Sequence, residues 1–187
     1  MAAKSSLKNM LLCLSLVCLC CSALLAGTYA LTLEPIKAAA QAKTNAAIAE
    51  VLPPFEGNPS LSEVQFSGAS YSYYRAEGAG YAIISNTTGF GGTLSIMVGI
   101  TEDGTVHNTK VLSHSETPGL GAKCETDTRF IQQFSGLDPA ATRLVVSKDG
   151  GDIDAITAST ITSRAYTLAV ANAVEAYKVI TGGKDNE

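Results

Sequence analysis

The 25 positions from residue 9 to residue 33 carry no charged side chain, and that run constrains everything around it. As a helix it would extend about 37 Å, enough to cross a hydrocarbon layer about 30 Å thick with some tilt. It reads as a membrane segment or a signal peptide. A signal peptide needs a small-residue cleavage site. The best candidate, Thr28-Tyr29-Ala30, puts threonine where alanine serves better, and the run is longer than a usual signal core. A retained anchor over residues 1–33 is therefore expected. A lipoprotein site needs small residues before a cysteine, whereas Cys18, Cys20 and Cys21 follow Val17, Leu19 and Cys20. Lys4 and Lys8 precede the run without an acid, while Glu34, Lys37 and Lys43 follow it. That bias favours a cytoplasmic N-terminus, a single pass through the cell membrane and a domain on its outer side.

All 17 acidic residues but only 11 of the 13 basic ones follow residue 33, a formal charge of −6 on the outer part. Such a surface disfavours nucleic acid as a partner. Cys13, Cys18, Cys20 and Cys21 lie in the apolar run, which leaves Cys124 alone beyond it. No internal disulfide and no Cys/His metal set can form there, so no metal is expected. Cys124 reads as a small buried residue rather than a reactive thiol.

Residues 36–52 are alanine-rich without interior Gly or Pro and read as a helical stalk ending at Pro53-Pro54. "PPFEGNPS" is a connector, so residues 34–58 separate the anchor from one folded domain at 59–187. Between residues 82 and 113, "YAIIS", "TLSIMVGIT" and "VHNTKVLSH" have strand character, with Asp103-Gly104 as a two-residue hairpin turn. "GFGG" at 89–92 opens the second of these strands, and the missing Lys-Ser/Thr excludes a phosphate loop of the nucleotide-binding kind. "SHSETPGLGAK" at 113–123 is a polar loop, and residues 126–134 suit a short helix. "RLVVS" at 143–147 suggests another strand, and "KDGGDIDAIT" a turn into a final one. The last helix begins at or beside Thr160. Its predicted stripe is Ile161, Ala165, Leu168, Ala169, Ala173, Ala176 and Ile180, with Gly182-Gly183 as the stop. The class is α+β, an antiparallel sheet with packed helices behind a transmembrane helix.

The mouth of that helix, "DAITASTITS" at 154–163, concentrates Thr157, Ser159, Thr160, Thr162 and Ser163. Hydroxyls cap helix starts by accepting backbone N–H groups, at about 0.5–2 kcal/mol per cap, and one or two would suffice. A helix N-terminus also favours a phosphate, by about 0.3–1 kcal/mol at an exposed position. Both readings stand on composition alone.

"DAITASTITS" resembles the flavinylation motif of the FMN-binding domain family shared by the RnfG and NqrC subunits of ion-pumping respiratory complexes. That motif is Asp-x-x-Ser/Thr-Gly-Ala-Thr-x-Ser/Thr. The resemblance implies that Thr160 is esterified to the phosphate of one covalent FMN, and that Thr157 and Thr162 are its flanking hydroxyls. It also implies that Asp154 is needed for recognition by the Mg-dependent flavin transferase that installs FMN from FAD. Ala158 and Ser159 stand where the family has glycine and alanine. "SHSETPGLGAK" is similar to the family's His-x-Glu-Thr-Pro-Gly-Leu-Gly loop, which wraps the flavin. By that likeness Glu116 and Thr117 offer polar contacts, Gly119 and Gly121 allow close backbone approach, and Leu120 covers the ring. His114 is either part of this wall or an exposed loop residue, and Lys123 either faces the phosphate or lies on the surface.

"GFGGTLSIMVGITEDGTV" resembles the family's glycine-rich strand and hairpin, so the likeness spans residues 78–182. The modest length favours RnfG over the usually longer NqrC. The implied role is an electron-carrier subunit of a membrane Rnf-type complex, coupling electron flow between ferredoxin and NAD to ion movement. Its partners would be the other subunits and, during maturation, the transferase. Two rivals are a flavin-free assembly module outside the cytoplasm and a stand-alone extracellular flavin reductase. The second would need a substrate pocket with acid–base residues.

Overall fold

The computed structural model describes residues 7–182, and the chain divides into two units, one through Lys43 and one from Thr44 onward. Helix α1 (Leu7–Val51) makes up the described part of the first unit and supplies the start of the second. In the first unit Leu11, Leu14, Leu19, Leu24 and Leu25 are all exposed, so the helix presents apolar side chains all round. It is long and apolar enough to cross a membrane.

Anchor and stalk run on as one continuous helix with Pro35 inside it. Proline's fixed φ is itself helical, and what it removes is one backbone hydrogen bond. The stalk reading changes at the other end. Ala47, Ile48, Val51 and Leu52 are buried against the sheet, so the compact unit begins at Thr44 rather than at residue 59.

The second unit is built on a five-stranded antiparallel meander of β1 (Ser60–Phe66), β2 (Ala69–Ala76), β3 (Gly80–Thr88), β4 (Thr93–Ile100) and β5 (Val106–Ser113). Strand alternation divides its side chains between two cores. Tyr81 and Ile83 of β3 and Leu94, Ile96, Val98 and Ile100 of β4 face helix α3 (Thr160–Gly182). Ala82 and Ile84 of β3 and Met97 of β4 face the last turns of α1. β4 is thus covered on both faces, which explains its almost unbroken apolar sequence. A side chain at Gly99 would strike the Val51 backbone, so glycine there lets α1 reach the sheet.

β5 satisfies the carbonyls that end α1, which have no partner within the helix. His107 Nδ1 donates to Val51 O at 2.9 Å, and Asn108 Nδ2 to Glu50 O at 3.2 Å. On the other face, Thr87 Oγ1 of β3 donates to Ala165 O of α3 at 2.9 Å. A buried hydrogen bond of 2.7 Å joins the Thr109 and Tyr166 hydroxyls, and burial holds the Tyr166 phenol well above its ordinary pKa.

Four sequence expectations need correction. The 143–147 segment is no strand: Val146 makes one isolated parallel bridge to Ile153, closing a loop, and no final strand precedes α3. The β4–β5 connection is the five-residue loop 101–105, in which Thr101 N–H donates to Thr105 O at 2.9 Å. The stripe of α3 is rotated: Ile161 and Leu168 are exposed, whereas Tyr166, Val170, Val174 and Tyr177 are buried. The β1–β2 hairpin was not anticipated. The expected short helix is α2 (Thr128–Ile131), capped by Asp127 and continued by a 3₁₀ turn to Phe134.

Candidate functional site

Three sequence motifs meet at the N-terminal end of α3. The first contact is made by the glycine run. Side chains at Gly89 or Gly91 would collide with Glu116 and with the Ser115 backbone, and one at Gly121 with Glu116 and Thr162. These glycines exist to let the 113–121 loop lie flat on the sheet end and on α3.

Glu116 is the centre of the junction. It is 6% exposed, its Oε2 accepts from Thr162 Oγ1 at 2.8 Å, and its Oε1 accepts from Gly91 N–H at 3.3 Å. A buried carboxylate is tolerated where donors surround it. His114 sets its backbone: the Nδ1 accepts from Glu116 N–H at 3.1 Å, so Nε2 carries the hydrogen that points to Glu125 at 3.3 Å. His114 is therefore a loop organiser. Thr117 to Leu120 form a turn with Leu120 N–H donating to Thr117 O at 3.2 Å and Gly119 at φ +77°, the residue pattern of a type II turn with Pro118 before the glycine. Cys124 follows on a 3₁₀ turn, fully buried. Burial, with the charges of Glu116 and Glu125, pushes its thiol up to about 11, which leaves it unreactive.

The hydroxyl cluster on the other side resolves into separate roles. Ser163 Oγ accepts from Ile156 N–H at 2.9 Å and donates to Ser159 O at 3.0 Å, tying the incoming loop to the first turn. Thr162 is held by Glu116. Ser159, at the cap position of α3, is 6% exposed and its Oγ has no hydrogen-bond partner. The first N–H groups of a helix need partners from outside it, and Ser159 Oγ does not supply one here. Thr160 is half-buried, and Lys148 Nζ donates to its Oγ1 at 3.1 Å. Ala158 adopts φ +61°, a left-handed conformation that glycine takes freely and alanine at a cost of about 1–2 kcal/mol.

Between these walls lies a cleft of about 330 Å³, within the range of small-molecule sites. From the expected set it gathers Glu116, Thr117, Leu120, Gly121, Ala158, Ser159, Thr160 and Thr162. Gly119 and Lys123 are not in its lining, and Thr157 and Asp154 line a neighbouring cavity of about 340 Å³ with Asp127, Arg129 and Gln133. Asp154 is fixed there through its backbone: its N–H donates to Gln133 Oε1 at 2.7 Å. Phe90 and Ile161 add exposed apolar surface to the cleft. Sequence reasoning missed both, and missed Lys148. Phe90 could have been found inside "GFGG"; nothing near Lys148 in the sequence connects it to Thr160.

Residues 89–175 match the FMN-binding domain family, and residues 1–51 match the RnfG N-terminal region. The G subunit of the proton-translocating ferredoxin:NAD(+) oxidoreductase complex of Clostridium ljungdahlii is 42% identical over 107 residues, covering 56% of each chain. The chain thus spans little more than half of that relative. The G subunit of the ion-translocating oxidoreductase complex of Shewanella piezotolerans is 36% identical over 89% of this chain and 87% of its own length. The protein of the same description from Aliivibrio fischeri is 32% identical over 93% and 91%. The C subunit of the Na(+)-translocating NADH-quinone reductase from Parabacteroides distasonis superposes with a TM-score of 0.47 at 19% identity, covering 68% of this chain and 77% of that one. An anchor-length helix, two family matches and alignment along nearly the whole of two relatives lead to one conclusion: the chain belongs to the RnfG family, the G subunits of ion-translocating oxidoreductase complexes, with an FMN-binding domain at residues 89–175.

Proposed function

We propose that the chain is the electron-carrier subunit of a membrane-bound, Rnf-type ferredoxin:NAD oxidoreductase complex, holding one FMN by a phosphoester to Thr160. The observation that supports this best is the convergence of the 89–92, 114–121 and 157–162 segments on one cleft whose half-exposed hydroxyl is Thr160. The residues fit the group. Phe90, Leu120 and Ile161 offer apolar surface to a ring system. The start of α3 and Lys148 offer donors and positive character to a phosphate. Ser159 contributes a buried hydroxyl still without a partner.

Bound there, FMN would supply one- and two-electron transfer, and the chain would fix its position and electronics. Glu116 would hold the loop wall in place through Gly91 and Thr162. Ser159 is screened from a transferase by its burial, whereas Thr160 is reachable, which favours Thr160 as the acceptor. Asp154, exposed beside the neighbouring cavity, suits contact with the maturing flavin transferase rather than with phosphate. In this reading residues 1–33 anchor the chain, and the folded unit that begins at Thr44 lies on the outer side of the membrane with the other subunits.

Co-expression with the flavin transferase tests this. The expected result is yellow fluorescence that stays with the chain through denaturing electrophoresis and is lost in Thr160→Ala. A band that never fluoresces would favour a flavin-free assembly module.

A further inference from the structure

Lys148 is separated from Thr160 by twelve positions, yet its ammonium donates to the Thr160 hydroxyl at 3.1 Å. A lysine stem has many rotamers, so the placement needs a cause, and the neighbouring residues supply one. Lys148 sits on the 3₁₀ turn Ser147–Asp149, which Gly150 closes at φ +84°. Asp149 is gripped by Arg164 in a two-pronged pair, with Nε to Oδ2 at 2.6 Å and Nη2 to Oδ1 at 2.7 Å. Arg164 lies one helical turn beyond Thr160 on α3, so the helix that presents the hydroxyl also clamps the turn that presents the lysine. A side chain at Gly151 would strike Val145, and Ser147 N–H donates to Ile153 O at 2.7 Å, which keeps the turn against the loop behind it.

The charges on this patch are unequally used. Arg164 is committed to Asp149, and its hydrogen bonds hold that carboxyl below the usual range. Lys148 has no ion pair within 4 Å among the described residues, although its charge also helps to lower Asp149, and the one hydrogen bond of its ammonium is to Thr160. The domain is acidic overall, so a lysine aimed at a neutral hydroxyl calls for explanation. Beside it, on the cleft wall, the Ser159 hydroxyl is more than nine-tenths buried and unpartnered. The Lys148 ammonium and the N-terminal end of α3 meet at the Thr160 hydroxyl, which is a place prepared for an anion.

We infer that Lys148 is the positioning residue for the phosphate at Thr160: its ammonium pairs with the non-bridging oxygens of the flavin phosphate as it arrives and after it is attached. This rests on Thr160 as the acceptor. In the attachment, the Thr160 Oγ1–phosphorus bond forms and the bond from that phosphorus to the oxygen bridging the two phosphates of FAD breaks. AMP leaves with the electron pair, and the hydroxyl proton passes to the transferase or to water. Lys148 offsets charge on the transferred group. Asp149 and Arg164 act through it, by aiming the turn.

The test uses the full chain with purified flavin transferase, FAD and magnesium, following the mass of the peptide containing Thr160 over time. Lys148→Met keeps the length of the stem and removes the charge. It is expected to slow incorporation about 10- to 100-fold, the rate equivalent of one hydrogen bond to a charged group. Lys148→Arg is expected to restore most of the rate, which a role in folding alone would not explain. Asp149→Asn, which loosens the aim, should give an intermediate loss. Unfolding temperature should stay within error of the parent for Lys148→Met, because the side chain is exposed. If the parent is modified at Thr160 and Lys148→Met is modified equally fast, the role of Lys148 is overturned while Thr160 stands. If the parent peptide is never modified, or is modified at Ser159, the reading beneath it fails.

Discussion

The two walls of the cleft are built on opposite terms. In the 114–125 wall the polar groups at its centre are paired: Glu116 with Thr162 and Gly91, His114 with Glu116 and Glu125, Thr117 with Leu120. Its Gly121 stands where a side chain would collide with Glu116 and Thr162. The 157–162 wall instead carries an alanine in left-handed backbone, a buried hydroxyl without a partner and a threonine held by a lone cation. One wall commits its polar groups to the fold; in the other Thr162 is committed to Glu116, Thr160 meets Lys148, and the Ser159 hydroxyl has no partner. Strain and unsatisfied groups that persist in a native structure gather where a ligand or a reaction completes them, and the difference supports the proposal that the chemistry lies on the α3 side.

Substitutions can break or sharpen that contrast. The largest effect is expected from Thr160→Ala, which should abolish covalent flavin in an absorbance measurement of denatured protein while changing stability by less than about 1 kcal/mol. Glu116→Ala comes next. It strands the Thr162 hydroxyl and the Gly91 N–H in a buried place, and urea titration should show a loss of about 2–3 kcal/mol. A smaller loss there would mean that the loop wall is not the rigid one. Ser159→Ala removes a buried hydroxyl that has no partner, and the flavin-free protein should gain about 1 kcal/mol. Ala158→Gly relieves the left-handed strain of about 1–2 kcal/mol but frees the unfolded chain by about 0.4–1 kcal/mol. A net gain of about 0.5–1 kcal/mol by thermal unfolding is the expected result; a loss would place the strain elsewhere.

The sheet was legible where burial dictated the residue types. β3 and β4 alternate between two cores or fill both, and their β-branched and aliphatic side chains say so directly. β1 and β2 were missed because β1 is the edge strand, β2 lies next to it, and the two are written largely in Ser, Tyr, Glu and Gln. Their one clear signal was Ser67-Gly68, both at positive φ, a two-residue hairpin turn. "RLVVS" misled because an apolar run of that length serves a loop as well as a strand. There Val146 is buried and bridges Ile153, while Val145 stays exposed. On α3 the alanines set the right period. The exposed Leu168 and Ile161 drew the stripe to one side of the true one, which is filled by Tyr166, Val170 and Tyr177.

At the site, residues close together in sequence were legible and pairings across the chain were not. The 114–121 loop and the 157–162 segment could each be marked from spacing, but the bond from Glu116 to Thr162 joins positions 46 apart. Lys123 was the cation that the loop motif marked, whereas the fold delivers Lys148 to Thr160 through a turn clamped by Arg164. The φ of Ala158 explains why the family motif has glycine there, a requirement that only backbone geometry reveals.

The central claim is tested most directly by mass spectrometry of the tryptic peptide spanning residues 149–164, taken from protein matured with the flavin transferase. Its mass is expected to rise by that of FMN less one water, with fragmentation placing the addition on Thr160. A fully matured sample whose peptide keeps its unmodified mass would contradict it.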